Sequence, residues 1–187
     1  MNLKKITLGL IFSLLSIIIL SNFSVAQTAT LAEGGVQATF GNLQHVSQFG
    51  HVVFSDQPDK DTITMLKERD IKLVLSIRGF NEKTGYNERK AVEKQGISFI
   101  QIPYMKGREI SDDALSEIME VVIAAGQNGT KMMLHCTHSQ RAGSVLGATL
   151  YRDYGYSKQD ALNLAKQAGL TSETLITIHN NYINSLN

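Results

Sequence analysis

Residue types able to do chemistry concentrate between Lys131 and Ser144. Cys136 is the only cysteine of the chain, and Arg141 follows five positions later. Met132, Met133 and Leu134 precede them as a short apolar run, and Thr137, His138, Ser139 and Gln140 lie between. The order reads as buried strand, polar loop and helix entrance. Cysteine attacks as the thiolate, and the free thiol has a pKa of about 8.5. Two features favour the thiolate here. Backbone amides from Thr137 to Ala142 can wrap into an anion-binding nest at a helix N-terminus. Arg141 adds a cation that does not lose its proton. The same donors suit three oxygens of a phosphoryl group, so binding and transition-state stabilisation would share one set of contacts. Cys136 would attack phosphorus in line, and water would hydrolyse the phosphocysteine. Cys136 and Arg141 are therefore the candidate catalytic residues. Thr137, His138, Ser139, Gln140, Arg141 and Ala142 are the candidate phosphate contacts.

The competing reading of Cys136 is a buried small hydrophobe, a common fate of free cysteine. His135 reads as a core histidine supporting the loop. His138, inside the loop, is either a substrate contact or simply exposed. Arg78, at the end of another apolar run, is a candidate second cation for the anion or half of a structural ion pair. His45, His51, His135, His138 and His179 show no ligand spacing, so neither a metal nor a cofactor is expected.

The elements that must position these groups follow from periodicity. Val36 to Phe40 and His51 to Ser55 have strand composition. Asp59 can cap a helix containing Ile63 and Leu66, with Asp61 in its first turn. Lys72 to Ile77 is a near-continuous apolar run, suited to a sheet covered on both faces. A charged helix from Asn87 to Gln95 ends at Gly96. Ser98 to Ile102 is a strand stopped by Pro103. Ser111 caps a helix whose Leu115, Ile118, Met119 and Val122 share a face, with Gly126 as its end. Met132 to His135 is the strand before the loop. A helix from Ala142 toward Tyr154 follows it, and two hydroxyl-capped helices, Ser157 to Ala168 and Thr171 to Leu186, close the chain. Alternating strands and helices give an α/β class: three layers, with a mainly parallel central sheet flanked by helices. In such sheets ligands lie beyond the C-terminal strand ends. Cys136, the loop after Ile77 and the loop after Pro103 should meet there.

The first residues read as a targeting signal. Lys4 and Lys5 precede an apolar run from Ile6 to Leu20, and Ser24-Val25-Ala26 offers a cleavage site. The run is short for a membrane span of about 20 residues. A signal peptide over residues 1–26, a flexible lead-in over 27–39 and one domain over 40–187 are expected, with an exported, periplasmic or secreted location. Membrane contact is then confined to the signal segment before cleavage. Removing 26 of 187 residues leaves 161, enough for one domain. Losing two of the 18 basic residues leaves 16 against 17 acidic ones, so charge gives no case for nucleic acid.

His135-Cys136 and Arg141, with a strand before and a helix after, resemble the signature of cysteine-dependent tyrosine and dual-specificity phosphatases. That signature usually places five residues between cysteine and arginine. The four found here resemble the phosphatase-like domain of the beta-lactamase-hydrolase-like family. Ser55-Asp56-Gln57-Pro58, Ile77-Arg78, Ile102-Pro103 and Ala168-Gly169-Leu170-Thr171 agree with it, and the resemblance covers Phe40 to Leu186. It implies a protein-tyrosine-phosphatase-like fold and a phosphoric monoester hydrolase acting on a phosphorylated small molecule or phosphoprotein. The chain departs from the pattern in three ways. A four-residue loop also occurs in rhodanese-like sulfurtransferases, which leaves a Cys136 persulfide as an alternative, beside a non-catalytic anion-binding module. Ser139 stands where glycine is usual, a strained choice if φ is positive. The general-acid aspartate expected in a loop like Tyr104 to Ile110 is absent, leaving Glu109, Asp112 and Asp113 as possible acids.

Overall fold

The computed structural model describes residues 36–37, 40–41 and 43–186. The expected signal peptide and most of the lead-in lie outside the described residues. β1 (Val36–Gln37) falls within the strand expected at Val36 to Phe40 and pairs antiparallel with β2 (Val46–Phe49). β2 was not foreseen, and it forms a hairpin with β3 (Val52–Ser55). There follow α1 (Lys60–Met65), a 3₁₀ turn (Lys67–Arg69), β4 (Ile71–Ser76), α2 (Glu88–Lys94) and β5 (Ser98–Gln101). The short hairpin β6 (Met105–Lys106) and β7 (Glu109–Ile110) precedes α3 (Asp112–Gln127). β8 (Lys131–His135), α4 (Gln140–Tyr154), α5 (Lys158–Gln167) and α6 (Glu173–Ser185) complete the chain.

The main sheet has the order β1-β2-β3-β8-β4-β5. β3, β8, β4 and β5 run parallel. Alternation along these strands explains their apolar runs. Val52, Phe54, Leu73, Leu75, Met132 and Leu134 enter one core with the apolar faces of α3 and α4. Val53, Val74 and Met133 enter a second core with Ile63, Leu66 and Val92 of the opposite layer. Both sheet faces are covered, as the near-continuous apolar strands require, and the three-layer α/β expectation holds.

Caps largely follow the sequence. Asp59 Oδ1 accepts from the Thr62 amide at 2.8 Å, and Ser111 and Ser157 cap α3 and α5 through their hydroxyls. Two expectations fail. The helix α3 runs past Gly126 to Gln127, and the left-handed turn falls at Gly129, with φ 62°. The hydroxyl cap expected at Thr171 is not made: α6 starts after Ser172, whose side chain makes no capping hydrogen bond, while Gln140 Oε1 accepts from the Thr171 and Ser172 amides. Gly143 and Gly147 let α4 approach α5: a Cβ on Gly143 would lie 2.5 Å from the Ala165 carbonyl oxygen. That approach sets the position of α4 and hence of Arg141.

Candidate active site

Parallel strands put their C-terminal ends together. The Ile77 amide donates to the His135 carbonyl at 3.0 Å, the Cys136 amide to the Ser55 carbonyl at 3.4 Å, and the Ile102 amide to the Ser76 carbonyl at 3.0 Å. Cys136 therefore sits at the end of β8, flanked on both sides by neighbouring strands. It is a free thiol and 1% exposed, on the floor of the loop. The loop turns from it into the N-terminus of α4, whose dipole favours an anion there.

The loop divides its side chains between two directions. Arg141 and Thr137 face the β4–α2 segment. Ser139 and Gln140 face the α5–α6 turn. Ser139 has φ 59°, the left-handed value that its replacement of glycine made costly. Its hydroxyl donates to the Ala168 carbonyl at 2.9 Å and it is buried. Gln140 Oε1 accepts from the Thr171 and Ser172 amides, both at 2.7 Å, and Nε2 donates to Thr171 Oγ1 at 2.8 Å. The side chains of Ser139 and Gln140 are thus committed to holding the loop against α6, and only their backbone can serve an anion. Ala142 is buried in the core. His138 is exposed and pairs its backbone with Asp56.

Of the two readings of Arg78, its contacts are those of the structural ion pair. It is 4% exposed, and each of its three nitrogens faces an acceptor of the chain itself. Nη1 donates to Gln57 Oε1 in a short hydrogen bond, Nη2 donates to the Lys83 carbonyl at 2.8 Å, and Nε faces Glu82 Oε2 at 3.4 Å. His135 is fully buried, as expected of a core histidine. Its Nε2 lies 3.1 Å from Glu88 Oε1, which also accepts from Gln57 Nε2 at 2.6 Å. A polar chain from Glu88 through Gln57 to Arg78 therefore runs behind the loop.

The expected acids are not brought to the loop by the contacts they make. Asp112 accepts from Arg152 Nη1 at 2.9 Å and from the Tyr182 hydroxyl at 2.5 Å. The Tyr182 hydroxyl, followed by Arg152, lowers its pKa. Glu109 lines a groove of about 380 Å³ with Ile178, Asn181, Tyr182 and Ser185 of α6. Asp113 is exposed on the first turn of α3.

The carboxylate that does touch the loop is Glu82, which sequence reasoning missed. Arg141 Nη1 and Nη2 donate to its two oxygens at 2.5 and 2.8 Å, and Thr137 Oγ1 donates at 3.1 Å. The Gly79 amide adds a fourth donor at 2.7 Å. The Arg141 hydrogen bond, above all, holds the Glu82 carboxyl down at about 2. The Arg141 pKa is raised in turn, first by the hydrogen bond to Glu82 and further by the charge of Cys136. One signal was available: Glu82 lies in the loop after Ile77, which the parallel sheet had to place beside Cys136. Among the described residues, no three His, Cys, Asp or Glu side chains converge where a metal could sit.

No family model and no curated protein sequence matches the chain. Solved structures do. TpbA of P. aeruginosa superposes with TM-score 0.64 at 16% identity, over 82% of this chain and 91% of that one. Tk-PTP in its active form gives 0.58 at 22%, over 71% and 91%. Kinase associated phosphatase with its catalytic cysteine replaced by serine gives 0.63 at 16%, over 80% and 98%. TpbA has also been solved with pTyr bound, in a form that superposes at 0.63 with 15% identity, over 83% and 94%. The chain thus has the α/β fold of cysteine-based phosphatases.

Proposed function

We propose that this chain is an exported, cysteine-dependent hydrolase of phosphate monoesters. The carrying observation is the juxtaposition of Cys136 and Arg141 across the four-residue loop, at the C-terminal edge of the central strand. Cys136 Sγ attacks phosphorus, an S–P bond forms and the P–O bond to the leaving group breaks. Arg141 and the loop amides hold the three remaining oxygens as charge builds on them. Water then attacks phosphorus, the S–P bond breaks, the thiolate is regenerated and the water proton leaves with inorganic phosphate. The phosphorylated substrate is a small molecule or a phosphoprotein; TpbA, solved with pTyr, supports the second. Residues 1–26 supply the export signal, by their charge and apolar pattern.

Phosphate release from an aryl phosphate by the reduced protein, lost in Cys136→Ser, is the expected result. The four-residue spacing also fits sulfur transfer through a Cys136 persulfide. Thiosulfate-dependent thiocyanate formation without phosphate release would select that chemistry instead.

A further inference from the structure

β2 brings a polar side chain to a face that is otherwise core. Val46 enters the second core and Phe49 the first, so alternation turns Ser47 toward the α4–α5 layer, beside its cross-strand partner Phe54. Ser47 is 2% exposed, and its hydroxyl has no hydrogen-bond partner among the described residues. A buried hydroxyl in that state carries a desolvation cost that a partner would cancel. Ser47 lines a cavity of about 160 Å³ between β2 and the α5–α6 turn, where such a partner fits. One wall of that cavity is Ser139, Ala168 and Gly169, the contact that braces the catalytic loop.

The side chains around the cavity are donors. Lys166, exposed in the last turn of α5, enters no ion pair among the described residues. Thr171 Oγ1 accepts from Gln140 Nε2 at 2.8 Å and keeps its own proton to give. The exposed His45 adds a ring nitrogen. The backbone acceptors nearest the cavity are already paired. The Ala168 carbonyl takes the Ser139 hydroxyl, the Lys166 carbonyl takes the Gly169 amide at 3.1 Å, and the Ala165 carbonyl takes the Leu170 amide at 3.0 Å. No carboxylate lines the cavity. Donors that converge without a facing acceptor select an anion. Ala168 and Gly169 add an apolar wall, which favours an anion with a short alkyl tail over a fully hydrated one such as phosphate.

We propose that this cavity is a binding site for a short monocarboxylate, separate from the Cys136 site. Ser47 Oγ and Lys166 Nζ hold the carboxylate, and the Ala168–Gly169 wall covers the alkyl tail. At about 30 Å³ per heavy atom, the share of a water in the liquid, 160 Å³ admits about five heavy atoms, the size of propionate. The site uses neither Cys136 nor Arg141, so it stands or falls apart from the phosphatase reading.

The test titrates propionate into the reduced full chain and follows backbone amide shifts by NMR. Saturable shifts at Ser47, Lys166 and Gly169 are expected. Lys166→Gln should weaken Kd about tenfold and Ser47→Ala about fivefold, the worth of one charge-assisted and one neutral hydrogen bond. Arg141→Ala should leave Kd within about twofold. In the free protein Ser47→Ala should raise Tm by about 2–4 °C, because an unpartnered buried hydroxyl is removed. That sign separates a hydroxyl kept for a ligand from a structural one. Lys166→Gln, on an exposed side chain, keeps the test decisive if Ser47→Ala does not fold. The absence of saturable shifts at these three amides overturns the proposal. So do shifts confined to Thr137 to Arg141 that vanish in Arg141→Ala, which mark an anion on the catalytic loop alone. A Kd that both Ser47→Ala and Lys166→Gln leave unchanged, or a Tm that falls in Ser47→Ala, overturns it as well.

Discussion

Ser139 and Gly169 occupy left-handed backbone conformations against each other, at φ 59° and φ 111°. A Cβ on Gly169 would lie 2.6 Å from the Ser139 Cβ. The loop tolerates serine where glycine is usual because the Ser139 hydroxyl finds the Ala168 carbonyl and Gly169 leaves it room. Gly169→Ala should therefore destabilise by about 2–4 kcal/mol, through positive-φ strain and overpacking together. Ser139→Ala should cost about 1–2 kcal/mol from the lost buried hydrogen bond. Ser139→Gly should be near neutral, the relief of strain offsetting that loss. Urea midpoints of the three variants check the order.

Packing of α4 on α5 gives a second stability test. Gly143→Ala would set a methyl group against the Ala165 carbonyl and, at 2.7 Å, the Leu170 amide, both rigid backbone. The expected loss is about 1–3 kcal/mol. Because α4 carries Arg141, kcat/KM should also fall. Gly155→Ala, at a positive φ with open space around it, should cost about 1 kcal/mol and leave kcat/KM unchanged. Thermal unfolding and steady-state rates on both variants separate the two effects.

His179 sets an acid limb in stability. It is 1% exposed, and its Nδ1 lies 3.0 Å from Ser144 Oγ, which faces the buried Tyr104 hydroxyl at 3.1 Å. Burial lowers its pKa from 6.5 to about 4. The unfolded chain therefore binds the proton more readily, so the stability is complete above pH 6.5 and falls as pH drops toward 4. The loss should be on the order of 3 kcal/mol. His179→Gln should flatten that limb in denaturant titrations. A further loss as pH falls from 4.5 toward 2 belongs to Glu82, whose carboxyl titrates there when folded.

Proton supply to the leaving group should be weak. Glu82 stays ionised far below neutrality and cannot donate, and Asp112 is held by Tyr182 and Arg152. A nitrophenyl phosphate should outrun phenyl phosphate by about 10²–10⁴-fold, the factor a general acid would otherwise supply. Asp112→Asn should leave kcat within about twofold and cost under about 1 kcal/mol, as an exposed ion pair does. Hydrolysis rates across a leaving-group series read both.

The fold was legible because its signals are local. Apolar runs at Lys72–Ile77 and Met132–His135, and caps at Asp59, Ser111 and Ser157, need only periodicity and spacing. β2 and the β6–β7 hairpin were missed, since two- and four-residue strands carry too little pattern. At the site, Cys136 and Arg141 were legible because they share one strand–loop–helix unit. Glu82, Gln57 and Glu88 were not, because their partners across the fold lie 21 to 59 residues away and depend on the sheet order. Arg78 was placed in the right region, with the choice between second cation and structural ion pair left open. Its burial is a tertiary fact that its position at a strand end does not reveal.

The central claim is that Cys136 becomes covalently phosphorylated. Reduced protein mixed with excess aryl phosphate, quenched in acid and digested should show a phosphoryl adduct on the Cys136 peptide. The adduct should vanish as phosphate is released during a chase, and should be absent in Cys136→Ser. Phosphate release with no adduct, or release that survives Cys136→Ser, would contradict the account.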